Sequence, residues 1–318
     1  MSKTSATMQL LGFPTFSTIE ELSELIRIEA SRLSILALRL ERFYRTYRIR
    51  KQRGGWRQIH SPSHELKAVQ AWILRNILDK LSTSSYATAY VKGRRLLDNV
   101  SPHVSNRYFL SVDVRNFFPS VGSLRVRRLF EALGYSRLAS HKLRRLCSYF
   151  SGLPQGAVTS PALSNLICLR LDRRLAGLCS RRNIVFTRYA DDITFSTNNR
   201  NALPRLLPTV YRILREEGFE PNQEKTRILG PRTQCLITGL VKNSSVPTFG
   251  IGKKKKTTMR AIMHNFLAHG TSHPDYPSEA SIEGWLEFLR NVDPASRDQM
   301  VRYWTALKSK YPKLANEG

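Results

Sequence analysis

The hydrophobic residues of the chain repeat with a helical period in some segments and alternate like strand residues in others, which predicts an α+β protein. Helical spacing dominates the beginning, where Ser17 and Glu20 form a predicted capping box, and the part beyond Val241. The predicted helices cover 19–28, 33–40, 66–81, 124–149, 163–171, 206–217 and 253–269, and the predicted strands cover 108–114, 183–189, 193–197, the region of Ile228 and 235–241.

A basic segment lies between the first helices and the first apolar strand. Residues 42–60 contain seven cations and no acid, interleaved with aromatic residues and broken by Gly54 and Gly55, which predicts a β-hairpin. A solvated surface without a partner normally mixes both signs of charge. Arginines beside aromatic rings suit phosphates and stacked bases, so the hairpin favours contact with nucleic acid or nucleotide.

The overall charge points to a polyanionic partner. The 318 residues include 51 Lys and Arg against 24 Asp and Glu, a net charge of +27, and 41% are hydrophobic, enough for a sizeable core. This composition excludes a disordered tail and a disulfide-stapled miniprotein. Nucleic acid is the first candidate partner and an anionic membrane surface the second.

The apolar segments and the cysteines of the sequence bear on the compartment of the protein and on the redox state of its thiols. No stretch approaches the ~20 apolar residues of a membrane span, and residues 1–9 do not resemble a signal peptide. The four cysteines stand far apart without a Cys-x-x-Cys pair, which disfavours zinc knuckles and disulfides. We therefore expect a cytoplasmic protein with reduced thiols and no membrane partner.

Three acidic residues form the main candidate for chemistry. Asp113 ends a predicted strand, and Asp191 and Asp192 lie at the tip of a predicted hairpin, so adjacent antiparallel strands can bring them together. Carboxylates are the ligands that Mg²⁺ prefers, and two such ions support nucleotidyl transfer. By itself, however, an Asp-Asp pair is more often an ordinary turn.

The motifs around these acids resemble those of reverse transcriptases. Tyr189-Ala190-Asp191-Asp192 is similar to their YxDD signature, and the segment from Asp113 to Ser120 is similar to their first catalytic block. Leu153-Pro154-Gln155-Gly156 resembles their LPQG loop, and the segment from Gly218 to Thr226 resembles the block that contains a nucleotide-side lysine. The resemblance extends from about Arg48 to Val241.

Three features are similar to the retron branch of this family. Asn99-Val100-Ser101-Pro102-His103 resembles the NAxxH element, with Val100 in place of Ala. Ile237-Thr238-Gly239 resembles the VTG element, with Ile237 in place of Val. The run from Leu153 to Pro161 matches LPQGAxxSP.

The resemblance implies roles for individual residues. Asp113 and Asp191 would bind two Mg²⁺ ions, with Mn²⁺ as the expected substitute in vitro, and Asp192 would support the metal site or the primer end. Phe118 would exclude the ribose 2′-hydroxyl, with Phe117 in the core. The remaining residues implied to bind dNTP are Arg57, the looser candidate Lys51, Gln155 and Lys225.

A second group of residues is implied to bind RNA or the template-primer. A run of lysines is usually solvated surface, but here it opens the helix that would be the thumb, which favours contact with a nucleic-acid backbone. The group consists of Asn99, His103, Thr238, Gly239, Lys253, Lys254, Lys255, Lys256 and Arg260.

The resemblance also implies an architecture and partners. We expect a right-hand polymerase with interleaved fingers and palm over 1–241, containing an antiparallel palm sheet, and a helical thumb over 242–318. The residues after Val241 are too few for a thumb and an RNase H domain together, so a host RNase H would remove the template.

The implied function is the copying of a cognate noncoding RNA into branched RNA-linked DNA (msDNA), in phage defence with a separate effector protein. Two alternatives stay open. One is an abortive-infection or group II intron-like reverse transcriptase, and the other is a catalytically idle scaffold that binds RNA or the effector.

Overall fold

The computed structural model describes residues 3–50, 54–243 and 248–312, and it combines fourteen helices with nine strands in these residues. The helices are α1 Lys3–Leu10, α2 Ile19–Ile26, α3 Ala30–Leu38, α4 His64–Asn76, α5 Leu96–Val100, α6 Phe117–Ser120, α7 Ser123–Ala132, α8 Arg137–Cys147, α9 Ser160–Ile167, α10 Leu169–Ser180, α11 Ala202–Glu216, α12 Lys253–His269, α13 Glu279–Val292 and α14 Pro294–Lys310. The strands are β1 Tyr44–Arg50, β2 Trp56–Pro62, β3 Tyr108–Val114, β4 Val185–Tyr189, β5 Asp192–Thr197, β6 Pro221–Leu229, β7 Leu236–Ile237, β8 Leu240–Lys242 and β9 Phe249–Gly250.

A four-stranded sheet in the order β4-β5-β3-β6 organises the centre of the molecule, and all its neighbouring strands are antiparallel. On β3, Leu110, Val112 and Val114 are buried in the main core, which also contains residues of α7, α10 and α11. Because side chains alternate along a strand, Ser111 and Asp113 lie on the opposite face. One face of the sheet is therefore covered by helices, and the other carries Asp113.

The predicted basic hairpin is present as β1 and β2, paired in antiparallel register, with residues 51–53 outside the described residues. Side chains alternate along β2, so Arg57 and Ile59 lie on one side of the hairpin and His60 lies on the other. The ring centroids of Tyr44 and Tyr149 are 4.5 Å apart, which anchors the hairpin to the end of α8.

A second core joins β7–β9 to the helices α12, α13 and α14. Cys235, Ile237 and Leu240 belong to this core, together with Phe109 from β3. The packing of the predicted thumb therefore begins a few residues before position 241, because the β7–β8 hairpin packs on the thumb helices. The division at 241 itself stays a prediction.

Three local predictions were wrong in detail. The start of α2 is capped by Thr18, which accepts from the Glu21 N–H, and not by Ser17 with Glu20. The predicted helix over 124–149 is two helices, because Gly134 has a φ of +105° and the Ser136 side chain caps α8. The predicted strand over 235–241 is a hairpin that turns at Thr238 and Gly239.

Two further sequence expectations concern membranes and thiols. Within the part of the chain that the structure describes, no helix combines the length and apolar character that crossing a bilayer requires. All four cysteines are free and buried, and burial raises the pKa of Cys147 to about 12. These thiols pack as small apolar side chains.

Candidate active site

The sheet brings Asp113 and Asp192 together. β3 and β5 pair so that Asp113 lies directly opposite Asp192, and opposed residues project from the same face of the sheet. The Ser111 hydroxyl donates to Asp192 Oδ1 at 3.3 Å, which orients that carboxylate. The predicted convergence of these acids from distant parts of the sequence is therefore present.

Asp191 lies at the tip of the hairpin formed by β4 and β5. Tyr189 pairs with Asp192, so Ala190 and Asp191 form the two-residue turn, and Ala190 adopts a left-handed φ of +57°. The backbone N–H of Val114 donates to the carbonyl of Asp191 at 3.0 Å. This bond ties the turn to the end of β3, beside Asp113.

The three carboxylates repel one another in a partly buried site. Burial raises the pKa of Asp192 to about 6, and the charges of Asp191 and Asp113 add to the shift. Burial and the charge of Asp113 also raise the pKa of Asp191. A cation beside these groups would favour their ionised forms, so the donor set fits a divalent metal.

Lys225 is the cation that lies against Asp113. Its Nζ donates to Oδ1 at 2.9 Å and to Oδ2 at 3.0 Å, while Asn222 Nδ2 donates to Oδ1 at 3.0 Å. β6 can supply both residues because its pairing with β3 is irregular, with Ser111 opposite Arg227 and Asp113 opposite Asn222. Lys225 lies in the additional residues between these pairs.

The ion pair between Lys225 and Asp113 involves one of the possible metal ligands. Over residues 3–50, 54–243 and 248–312, no three His, Cys, Asp or Glu side chains stand ready as a cage for a metal ion. Both oxygens of Asp113 are instead bonded to Lys225. The Lys225 side chain is 57% exposed, so it has room to change position if a cation binds Asp113.

The two adjacent phenylalanines face different surroundings. Phe117 is buried and stacks on Phe219 with ring centroids 5.7 Å apart. Phe118 is only partly buried, and its ring lies 6.2 Å from that of Tyr90. Phe117 is therefore the core residue, and Phe118 is the one whose ring is accessible near the acids.

The LPQG segment holds Phe118 and the β1–β2 hairpin in place through its backbone. The Leu153 N–H donates to the Phe118 carbonyl at 3.2 Å, and the His60 N–H donates to the Gln155 carbonyl at 2.7 Å. Gly156 has a φ of +122°, and a Cβ there would lie 2.8 Å from the His60 carbonyl oxygen. Only glycine allows this approach, while the Gln155 side chain stays partly exposed.

Arg57 and Tyr90 are two further residues whose electrostatic interactions reach Asp191. Arg57 is exposed on β2, and its charge offsets a small part of the rise in the pKa of Asp191, so the guanidinium is within electrostatic reach of the acids. Tyr90 has a φ of +59°, and burial and the charge of Asp191 raise its pKa. The sequence carried no signal for Tyr90, because it belongs to none of the motifs. The other predicted nucleotide residue, Lys51, lies outside the described residues.

Asn99 and His103, which the resemblance implies bind RNA, are buried. Their exposures are 1% and 0%. His103 Nδ1 hydrogen-bonds with the Ser196 hydroxyl at 2.6 Å and Nε2 with the Thr187 hydroxyl at 2.8 Å. Both ring nitrogens of His103 are thus hydrogen-bonded inside the protein, and the role of Asn99 and His103 in binding RNA stays a prediction.

The NAxxH and VTG elements contact each other. Asn99 Oδ1 accepts from the Thr88 hydroxyl at 2.9 Å, and Asn99 Nδ2 donates to the Thr238 hydroxyl at 3.3 Å. Thr238 and Gly239 form the turn between β7 and β8 with φ values of +45° and +84°. A β-branched residue rarely adopts a positive φ, so the bond from Asn99 helps to hold a strained turn.

The predicted thumb lysines open α12. Lys253, Lys254 and Lys255 are exposed, whereas Lys256 is partly buried with its Nζ 3.6 Å from Asp293 Oδ2. Arg260 is exposed one turn later, over the ring of Tyr303. The structure therefore separates three exposed lysines from one that is partly buried and paired.

Comparison with known proteins decides the family. The family "Reverse transcriptase (RNA-dependent DNA polymerase)" matches residues 49–252. The chain is 38% identical to the Retron Ec86 reverse transcriptase of Escherichia coli over 305 residues, which are 95% of this chain and 93% of that protein. It is 34% identical to the Retron Mx65 reverse transcriptase of Myxococcus xanthus, covering 92% of this chain and 72% of that protein.

The chain belongs to the bacterial retron reverse transcriptases. It is therefore an RNA-directed DNA polymerase that depends on a divalent metal and works with an RNA template and a DNA product. Among solved structures, telomerase from Candida albicans in complex with a fragment of telomeric RNA matches with a TM-score of 0.50 at 14% identity. The matched region includes 84% of this chain but only 55% of the telomerase chain. The likeness therefore supports the right-hand polymerase fold alone.

Proposed function

We propose that this retron reverse transcriptase carries out nucleotidyl transfer at Asp113, Asp191 and Asp192 with Mg²⁺. The observation that carries the proposal is the meeting of these carboxylates on the open face of the sheet, where burial and mutual repulsion raise the pKa values of Asp191 and Asp192. Mg²⁺ would supply charge neutralisation and activation of the attacking hydroxyl. Mn²⁺ would replace it in vitro.

The surrounding residues bind and orient the nucleotide. Arg57 holds the triphosphate, because a guanidinium fork matches phosphate oxygens, and Gln155 contacts the sugar or base. The Phe118 ring lies under the sugar and excludes the 2′-hydroxyl of a ribonucleotide. Lys225, whose exposed side chain has room to move, would neutralise the charge of the departing pyrophosphate.

The RNA and DNA strands lie between the palm and the thumb. The exposed cations Lys253, Lys254, Lys255 and Arg260 on α12 bind the duplex backbone, and the turn at Thr238 and Gly239 positions the primer end. Asn99 acts through Thr238, and His103 acts through the palm hairpin that it bonds. We retain fingers and palm over 1–241 and a thumb over 242–318 as the proposed division.

The substrate of the proposed reaction is a cognate structured noncoding RNA, of which part is copied into branched RNA-linked DNA. This specialisation is supported by the identity to the retron relatives over almost the whole chain. A host RNase H would remove the copied template, and a separate effector protein would convert the complex into a cytoplasmic defence against phage. Abortive-infection and intron-type polymerases remain the alternatives that a product analysis separates.

The decisive experiment compares the wild type with Asp191→Asn and Asp192→Asn. With Mg²⁺ and dNTPs, both variants should lose primer extension on an RNA template while keeping their fold and RNA affinity. Asp275→Asn, an exposed acid on the loop before α13, is the matched control and should extend normally. Wild-type rates in either Asp191 or Asp192 variant would refute the assignment of chemistry to this hairpin.

A second measurement tests the retron product. Nucleic acid that copurifies with the wild-type protein should be DNA joined to RNA through a 2′–5′ linkage, and a debranching nuclease should release it. The Asp191→Asn protein should copurify with RNA alone. Linear DNA without a branch would favour an abortive-infection or intron-type enzyme.

A further inference from the structure

The helix pair α7–α8 carries a group of arginines that the polymerase site does not use. α7 and α8 pack against each other, and their outward faces follow helical spacing. We call the group the arginine surface. It consists of Arg127 and Arg128 on α7 and of Arg137, Arg144 and Arg145 on α8.

Three of these arginines, Arg127, Arg144 and Arg145, lie close enough to affect one another. Burial and the charges of Arg145 and Arg127 lower the pKa of Arg144 below its usual range. His141, exposed on α8, has its pKa lowered by burial and by the charges of Arg144, Arg145 and Arg127. The surface is therefore a concentration of positive charge that costs electrostatic energy in the free protein.

Few acids compensate this charge. Arg127 Nε lies 3.2 Å from Glu131 Oε1, and no other acid within the described part of the chain forms an ion pair with the five arginines. A neighbouring cation, Lys142, is within the electrostatic reach of Glu20 and is left out of the surface for that reason. A surface without a partner normally mixes both signs of charge.

Arg144 also has an unused donor. Its Nη1 donates to the Ser123 hydroxyl at 3.2 Å, but its buried Nε has no hydrogen-bond partner in the protein. A buried N–H without an acceptor is costly, and the cost is greater on a charged group. An anion at the arginine surface would offset part of this cost. Arg145 differs, because it donates to the Ala37 and Leu38 carbonyls at the end of α3.

The arginine surface lies away from the catalytic face. Val126 and Phe130 on the inner side of α7 belong to the core that contains Val112 and Val114, on the sheet face opposite Asp113. Arg125, also on α7, donates to the Glu217 carbonyl at 2.9 Å, in the helical layer behind the sheet. The outward face of α7–α8 is therefore separated from the Asp113 cleft by the thickness of the palm.

We propose that the arginine surface binds the phosphate backbone of a base-paired RNA segment outside the polymerase cleft. The planar guanidinium fork matches phosphate oxygens better than an ammonium does, and all five cations of the surface are arginines. The enzyme thus holds its structured RNA at a second point while another part is copied. This inference rests on the proposed function, because it assumes an RNA partner with a folded segment outside the template.

An acidic protein segment is the competing occupant. Leu124 and Leu138, which are 45% and 58% exposed, adjoin the arginine surface and would suit a protein more than a phosphate backbone. The charge argues for RNA, because four of the arginines, Arg128, Arg137, Arg144 and Arg145, form no ion pair with an acid among the described residues, and phosphates occur at every step of a duplex. Competition between an RNA hairpin and poly-glutamate separates RNA from an acidic protein segment.

The test uses the full chain with its cleft already filled. Wild-type protein is saturated with an oligo(dT)–poly(rA) primer-template, and binding of a fluorescent RNA hairpin with a 3′-dideoxy end is measured at several salt concentrations. The triple variant Arg128→Gln, Arg137→Gln, Arg144→Gln should bind the hairpin roughly tenfold more weakly, with a slope of log K against log salt smaller by about 2 to 3. Arg127 and Arg145 are left unchanged because Glu131 and α3 use them.

The matched control removes the same charge elsewhere. Arg173→Gln, Arg200→Gln and Arg205→Gln change three exposed arginines outside α7–α8 that form no ion pair within the described residues, and hairpin affinity should stay near that of the wild type. Equal loss in both triple variants would overturn the proposal, because binding would then follow net charge. Competition by poly-glutamate as strong as that by the hairpin would overturn the choice of RNA.

Extension of oligo(dT) on poly(rA) is measured in parallel and reports the proposed function independently. The arginine-surface variant should extend at the wild-type rate. Loss of extension together with hairpin binding would place these arginines in the polymerase machinery and overturn the proposal. A wild-type protein without extension would refute the proposed function, while its hairpin isotherms would still decide whether the surface binds RNA.

Discussion

Arg188 and Asp172 form a fully buried bidentate ion pair behind the turn that carries Asp191. Arg188 Nε donates to Asp172 Oδ1 at 2.6 Å and Nη2 donates to Oδ2 at 2.7 Å, with side-chain exposures of 0% and 1%. Arg188 Nη1 also donates to the Ala190 carbonyl at 3.3 Å. The pair therefore connects α10 to the left-handed residue of the catalytic turn.

Removing the carboxylate of this pair should destabilise the protein strongly. In Asp172→Asn the Arg188 charge stays buried without its counter-ion, and the free energy of unfolding should fall by about 3–5 kcal/mol. The measurement is urea denaturation followed by circular dichroism. Glu224→Gln is the control, because its pair with Arg115 is exposed and should contribute about 0–1 kcal/mol. A similar small loss in both variants would contradict the structural role of the buried pair.

Phe118 should control the choice between dNTP and rNTP. Phe118→Ala removes the accessible ring near the acids, so rNTP incorporation should rise relative to dNTP, with a smaller effect on the overall rate. Single-nucleotide extension with each substrate gives the ratio. Phe117→Leu is the control, since Phe117 packs on Phe219 and its change should lower stability and leave the ratio unchanged. If Phe117→Leu changes the ratio and Phe118→Ala does not, the roles are reversed.

The exposed lysines of α12 should bind nucleic acid through charge alone. The triple variant Lys253→Gln, Lys254→Gln, Lys255→Gln should weaken primer-template binding and reduce its salt slope by about 2 to 3, because each phosphate contact contributes about 0.7–0.9. Single-turnover extension at saturating primer-template should survive. Binding isotherms at several salt concentrations provide the test.

Lys256 offers a matched control for that variant. It is partly buried and lies 3.6 Å from Asp293, so Lys256→Gln should change the salt slope less than any one of the three exposed lysines does. An unchanged slope in the triple variant would show that the run is only solvated surface. A lost single-turnover rate would place it nearer the chemistry than α12 allows.

Local sequence patterns predicted the elements that carry the acids. β3 spans the predicted residues, because a short apolar segment of this length predicts a strand. The hairpin around Asp191 follows from two short predicted strands that are separated by a two-residue turn. Adjacent antiparallel strands then suffice to place Asp113 opposite Asp192. These features depend on neighbours in sequence or on a single strand pairing.

Features that depend on tertiary burial could not be predicted in this way. The contact of Lys225 with Asp113 requires the irregular pairing of β6, which no local pattern shows. Asn99 and Arg188 are polar residues that the fold buries completely, whereas composition alone places such residues at the surface. The motif resemblance singled out Asn99, but only the structure shows that its side chain is buried and bonded to Thr88 and Thr238.

His103 is the buried group whose protonation should limit stability in acid. Its ring hydrogen-bonds with Ser196 and Thr187, and Asn106 donates to the same Ser196 hydroxyl at 2.8 Å. Burial lowers the pKa of His103 to about 3 from the ordinary 6.5. The unfolded chain therefore binds a proton near pH 6.5 that the folded protein does not bind until about pH 3, so the stability that His103 contributes is complete above pH 6.5 and is lost as the pH falls.

This linkage predicts a pH-dependent difference between the wild type and His103→Gln. The difference in unfolding free energy should change by about 2 kcal/mol between pH 7.5 and pH 5, with the wild type losing more, because a full linkage slope is about 1.4 kcal/mol per pH unit. Urea denaturation across this range measures both proteins, and taking the difference cancels the titration of the carboxylates that they share. The variant should be the less stable protein at pH 7.5, since it loses the fit to Ser196 and Thr187. Parallel stability curves would mean that His103 has the same pKa in the folded and unfolded states, and the buried position described for its ring would then be wrong.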